Sequence, residues 1–118
     1  MSYQDEDVKI TILWKDKGNL IANANISIET VSFGFITIKG FQIWKSEVQN
    51  SRLQESINIT PPSKPMYGHY FKIVFLENEK SWFELERRLY GKFLEKRIKI
   101  QENEKIDLDE VDADFNNQ

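Results

Sequence analysis

The chain contains no cysteine, which excludes a disulfide framework, a thiolate metal centre and cysteine catalysis, and gives no reason to place it in an oxidising compartment. Histidine occurs once, as His69, so a site with several imidazole ligands is impossible and a serine triad would have a single base to draw on. Proline is confined to one pentapeptide, where Pro61, Pro62 and Pro65 bracket Ser63 and Lys64. The five glycines stand apart from one another and form no phosphate-cradling loop. No apolar run approaches the ~18 residues that would mark a membrane span. The start, MSYQDEDV, is acidic where a secretory signal is basic and then apolar. A cytoplasmic protein without a cofactor or metal is the expectation.

What is present is one domain's worth of chain, 118 residues, with charge laid out unevenly behind a net −3. Residues 8–100 carry 15 basic and 9 acidic side chains, whereas residues 101–118 carry seven acidic ones against Lys105 alone. Asp5, Glu6 and Asp7 make the first seven residues acidic as well. A basic body with an acidic tail suits a polyanion binder whose tail competes for the same surface; a purely solubilising tail has the same composition. The expected organisation is a flexible acidic segment 1–7, a single domain 8–100 and a disordered acidic tail 101–118. The stretch 107–115, which begins at Asp107 and carries the aromatic Phe115, is a candidate dock for a protein partner.

Strict alternation marks residues 8–14, where Val8, Ile10, Ile12 and Trp14 share one face, and residues 20–29, where Ala22, Ala24, Ile26 and Ile28 do. The intervening Asp-Lys-Gly-Asn makes the pair a β-hairpin. Residues 33–44 form one bent strand or two short ones, with Gly40 shifting the alternation between Ile36/Ile38 and Phe41/Ile43. Residues 45–56 read as a polar loop with room for a helical turn, residues 57–60 as a short strand, the proline segment as a stiff extended connection, and residues 70–75 as the last strand. Residues 78–96 carry Trp82, Leu85, Leu89 and Phe93 at spacings of 3, 4 and 4, hence an amphipathic helix. Ser81 and Glu84 fit a capping box, and Glu84 with Arg88 an i,i+4 ion pair. Residues 97–100 allow a short terminal strand. The fold class is α+β: an antiparallel sheet of about five strands with one helix packed across it.

Function rests on a smaller set of residues. Around the prolines, Ser63, Lys64 and Lys72 are candidate phosphate partners, and Tyr67 and Tyr70 are candidate stacking groups. Lys39 and Lys45 add electrostatic support, and Arg87 and Arg88 form a basic stripe on the exposed helix face. The same residues also fit an aromatic loop covering a sheet edge and a solvated helix surface. His69 has no nucleophile motif beside it, and Glu77, Glu79, Glu84 and Glu86 cluster where a helix start favours negative charge. An enzyme is therefore not expected.

From residue 20 to 96 the order of elements and some local sequence resemble the SpoVG family of small septation and sporulation regulators. LIANANISIE is similar to the family's alanine-containing second strand, ITIKGFQIW to its hydrophobic strand with a short polar insert, and INITPPSKP to its strand leading into a Met-Pro-Ser-Lys-Arg-Thr loop, with Pro62, Ser63 and Lys64 matching in place. The resemblance implies a dimeric β-sheet domain with a C-terminal helix that binds DNA and RNA through basic residues at that loop. Lys64 carries over, while Pro65 stands where the family has Arg and Met66 where it has Thr. The expectation is a non-enzymatic, homodimeric, nucleic-acid-binding regulator. A protein–protein adaptor using an exposed sheet edge and the aromatic loop is the alternative.

Overall fold

A computed structural model describes the backbone of residues 8–116 and side chains through residue 104. The expected flexible segment 1–7 and the side chains of the proposed dock at 107–115 lie outside the described residues. The architecture is α+β, with a four-stranded antiparallel meander, a separate two-stranded ribbon and one helix. The sheet is ordered β1 (Val8–Lys17), β2 (Leu20–Thr30), β3 (Gly34–Asn50) and β4 (Glu55–Thr60).

The first hairpin of the meander and the bend of β3 follow from local sequence. Lys17 pairs with Leu20 around a two-residue Gly18-Asn19 turn, as expected. In β3, Lys39 opposes Asn25 and Phe41 opposes Ala24, so Gly40 is the extra residue of a bulge. The bulge turns Ile38, Phe41 and Ile43 onto a common face and keeps β3 a single bent strand. Across the sheet, Ile12, Ala24 and Phe41 make one row in register, and Trp14, Ala22, Ile43 and Ile59 make the next.

Helix α1 (Glu79–Asn116) lies over that face. Leu89 and Phe93 are fully buried on it, with Trp82 and Leu85 partly so, which is the predicted face. Ala22 and Ala24 are also fully buried, and their small side chains let the helix approach the sheet closely. Phe93 stacks on Trp14 with ring centroids 5.5 Å apart. Removing each such side chain from water is worth about 1.5–3 kcal/mol.

Several expectations are corrected. The sheet has four strands, not five, because the predicted last strand is only His69–Lys72 and pairs outside the sheet. The predicted loop at 45–56 is mostly strand: β3 runs to Asn50, and only residues 51–54 turn, with the Gln54 N–H reaching the Asn50 carbonyl at 2.7 Å. The helix cap is Asn78, whose Oδ1 accepts from the Ser81 N–H at 3.1 Å, so Ser81 lies in the first turn and forms no capping box. The strand expected at 97–100 is helix, and helical backbone continues to Asn116 through the segment expected to be disordered. No glycine or proline follows Gly91 to end it.

Candidate nucleic-acid interface

The ribbon consists of β5 (Ser63–Met66) and β6 (His69–Lys72). Its register sets Ser63 opposite Lys72, Lys64 opposite Phe71, Pro65 opposite Tyr70 and Met66 opposite His69. The turn residues Tyr67 and Gly68 both have positive φ, +51° and +76°, the conformation that a two-residue hairpin loop demands. Proline is tolerated here because a two-stranded ribbon consists of edges only. The predicted stiff connection is thus a strand in its second half.

Strand alternation sorts the arm into two faces. Lys64, Met66, His69 and Phe71 share one, and Ser63, Pro65, Tyr70 and Lys72 share the other. Tyr67 at the tip is 91 % exposed and Tyr70 is 79 % exposed, so neither ring packs against the body. Between Glu55 and Glu77 there is no acidic residue, and the arm's cations meet no carboxylate on the ribbon itself.

The base of the arm is fixed firmly. Pro61 and Pro62 are buried, the Ile73 N–H donates to the Pro62 carbonyl at 2.8 Å, and the Ser63 hydroxyl donates to the Pro61 carbonyl at 2.8 Å. Gly40, at φ +107°, faces Pro62 so closely that a Cβ there would lie 3.4 Å from the proline Cβ. The bulge of β3 therefore seats the segment that launches the ribbon.

The other predicted site residues do not all converge on the arm. Lys39 adjoins the Gly40 bulge and so stands near its base, exposed in the row Thr11, Asn25, Lys39. Lys72 lines a shallow depression with Pro61, Trp82 and Phe83, where Glu77 and Glu79 bring negative charge. Lys45 pairs with Ile57 at the opposite end of β4 from the ribbon. Arg87 and Arg88 line a groove with Val8 and Lys9 on the far edge of the sheet, and both contact Glu84, at 2.6 and 3.2 Å. Hydrogen bonds from Arg87 and then Arg88 hold the Glu84 carboxyl below its ordinary range.

Two polar clusters brace the body and were not legible beforehand. Glu86, placed with the helix-start carboxylates, is 1 % exposed and takes two hydrogen bonds from Arg52, at 2.8 and 3.0 Å. The Arg52 guanidinium also lies 4.4 Å from the centre of the Phe83 ring. Glu55 accepts from Arg97 and from the Tyr90 hydroxyl. Burial pushes its carboxyl up, but these bonds outweigh burial and bring it below the usual carboxylate range. Among the described residues, no group of three or more His, Asp or Glu is placed to hold a metal ion. No helix among them is long and apolar enough to cross a membrane.

No family model, curated protein or solved structure matches the chain.

Proposed function

We propose that the chain is a nucleic-acid-binding regulatory protein that engages its target through the β5–β6 arm. The observation that carries this reading is a projecting two-stranded ribbon with Lys64, His69 and Lys72, exposed tyrosines and no carboxylate of its own. A two-stranded ribbon fits the major groove of duplex DNA, and exposed aromatic rings stack on bases of a single strand. Lys64 contacts phosphate from one face of the arm, Lys72 adds charge on the other, and Lys39 stands at the base, while the Ser63 hydroxyl is engaged by the Pro61 carbonyl. The resemblance to SpoVG points to the same segment, and dimerisation, which it also implies, would present two arms.

Fluorescence-anisotropy titration of labelled single- and double-stranded DNA and RNA at two salt concentrations tests this. Binding that weakens steeply with salt and is lost in Lys64→Glu is expected. No binding at low salt by the full chain overturns it.

One observation favours a second reading. Met66, Tyr67, Tyr70 and Phe71 on the arm, followed by Ile73, Phe75 and Leu76, are all exposed, an apolar share suited to a protein partner. In that case the arm is an adaptor surface, and binding to it resists salt.

A further inference from the structure

β3 is covered on both sides along only part of its length. Its pairing with β4 begins at Gln42, which lies opposite Thr60, the last residue of β4. Pro61 and Pro62 follow, and without N–H groups they cannot carry the ladder on. Among the described residues, the stretch 35–39 (Phe-Ile-Thr-Ile-Lys) therefore has β2 on one side and no strand on the other. No backbone hydrogen bond from a described turn or loop reaches it. Phe35, Ile36, Thr37 and Lys39 are exposed. β1, the outermost strand, carries the usual guards of an edge: Lys9, Lys15 and Lys17 lie along it, and its register is irregular after Trp14. The stretch 35–39 has a single lysine at its end, preceded by four residues of high β propensity. On the helix side, Val8, Ile28 and Ile38 line a cavity of about 550 Å³ with Leu85, Phe75 and Leu76, and Ile36, beside Ile28 in register, is 45 % exposed.

We propose that a second copy of this chain pairs here, with the two 35–39 stretches antiparallel about a two-fold axis at Thr37, so that two four-stranded sheets join into one. The inference deepens the dimer of the preceding reading and rests on it, but on no contact with nucleic acid. In this register the stretch is complementary to itself. Thr37 meets the partner's Thr37, Ile36 meets the partner's Ile38, and Phe35 meets the partner's Lys39, which keeps apolar against apolar on the helix side. The row Val8, Ile28, Ile36 then runs on into the partner's Ile38 and, beyond it, the partner's Ile26. Charge permits the same arrangement. The two copies of Lys39 stand four residues apart along the strands, roughly 14 Å at ~3.4 Å per residue, beyond the ~8 Å Debye length of physiological salt. Glu29, opposite Phe35 in β2, stands in the same row as counter-charge to Lys9 and the partner's Lys39. Paired strands alone bury less than the ~800 Å² per partner of a stable interface. Phe75 and Leu76, exposed on the wall of the cavity that Ile38 lines, add apolar area beside the joined strands. A phosphodiester backbone offers acceptors only and leaves the carbonyls of this edge unpaired. An unrelated strand would pair the backbone but has no share in the two-fold match of side chains.

Sedimentation equilibrium of the full chain over a wide concentration range, with amide hydrogen exchange read at residues 35–39, tests this. A monomer–dimer equilibrium is expected, in which exchange of alternate amides of that stretch slows as concentration rises. Thr37→Lys and Thr37→Glu each set like charges face to face on the axis and should each raise the dimer Kd about tenfold or more. A one-to-one mixture of the two variants should dimerise again, because the axis then pairs opposite charges. Thr37 is exposed, so both variants are expected to fold, and thermal melts check it. Lys64→Glu should leave dimerisation unchanged, and Thr37→Glu should still bind an oligonucleotide through its single arm, so the edge and the arm fail separately. A chain that stays monomeric at every concentration, a dimer that neither variant weakens, or a mixture that stays monomeric overturns the proposal. Exchange at 35–39 that is slow in the monomer and becomes fast on removal of residues 1–7 overturns it too, and assigns the edge to the chain's own start.

Discussion

Arg52 reaches back from the β3–β4 turn to grip Glu86 on the helix with two hydrogen bonds, across 34 positions of chain. The Glu86 side chain is 2 % exposed while that of Arg52 is 44 % exposed. The carboxylate is therefore committed to this one partner, and the turn is tied to the helix. Removing one member of a buried pair strands the other, which typically costs about 3–5 kcal/mol. Arg52→Ala should lower the denaturant midpoint strongly. Replacing both, as in Arg52→Met with Glu86→Leu, should recover much of that loss. Equal destabilisation by single and double variants would show that packing of the turn, not the stranded charge, dominates.

Gly40 and Pro62 set a second expectation. A side chain at φ +107° strains the backbone, at a cost on the order of 1–3 kcal/mol, and a branched one also meets the proline ring. Gly40→Val should lower Tm and speed amide exchange at Ile73, whose N–H bonds Pro62 at the base of the arm. Unchanged exchange there would mean that the arm is seated by its prolines alone.

Glu55 makes stability depend on pH. Its folded carboxyl sits below the ordinary value of 4.5 because Arg97 and Tyr90 favour the charged form over the opposing effect of burial. The stabilisation is fully present above the unfolded pKa and is lost as pH falls through the lower folded pKa. Wild type should exceed Glu55→Gln in stability at neutral pH, and the gap should close on acidification through that range. Urea melts at several pH values measure it, and a gap independent of pH would mean that Glu55 contributes through contacts rather than charge.

On the arm, Tyr67→Ala and Tyr70→Ala should leave thermal stability nearly unchanged, since both rings are exposed. If the target is single-stranded, each should cost about 1–3 kcal/mol of binding through lost stacking. Loss confined to duplex binding would assign the rings to groove contacts instead.

Deleting residues 101–118 removes seven acidic side chains and one lysine. Affinity for nucleic acid should rise at low salt if the segment competes for the basic surface, with the difference shrinking as salt screens it. Equal affinities would leave the segment a solubilising role.

The features readable from sequence are those governed by near neighbours. Period-2 alternation located β1 and β2, the glycine at position 40 marked the bulge, and the 3.6-residue spacing of Leu85, Leu89 and Phe93 marked the buried helix face. Lys64, Tyr67 and Tyr70 were legible as a basic and aromatic group because they are close in sequence. Tertiary structure decided the rest. Whether residues 69–72 extend the main sheet or form a separate arm depends on which strand edge they reach, and their alternation is the same in either place. Glu86 has the same composition context as Glu84, yet one is buried and the other solvated, because Arg52 arrives from a distant turn to neutralise the first. Arg87 and Arg88 belong with β1 rather than with the arm because the helix crosses to that edge. These outcomes turn on contacts between residues far apart in the chain, and no local pattern of residues encodes a contact with a partner that only folding brings near.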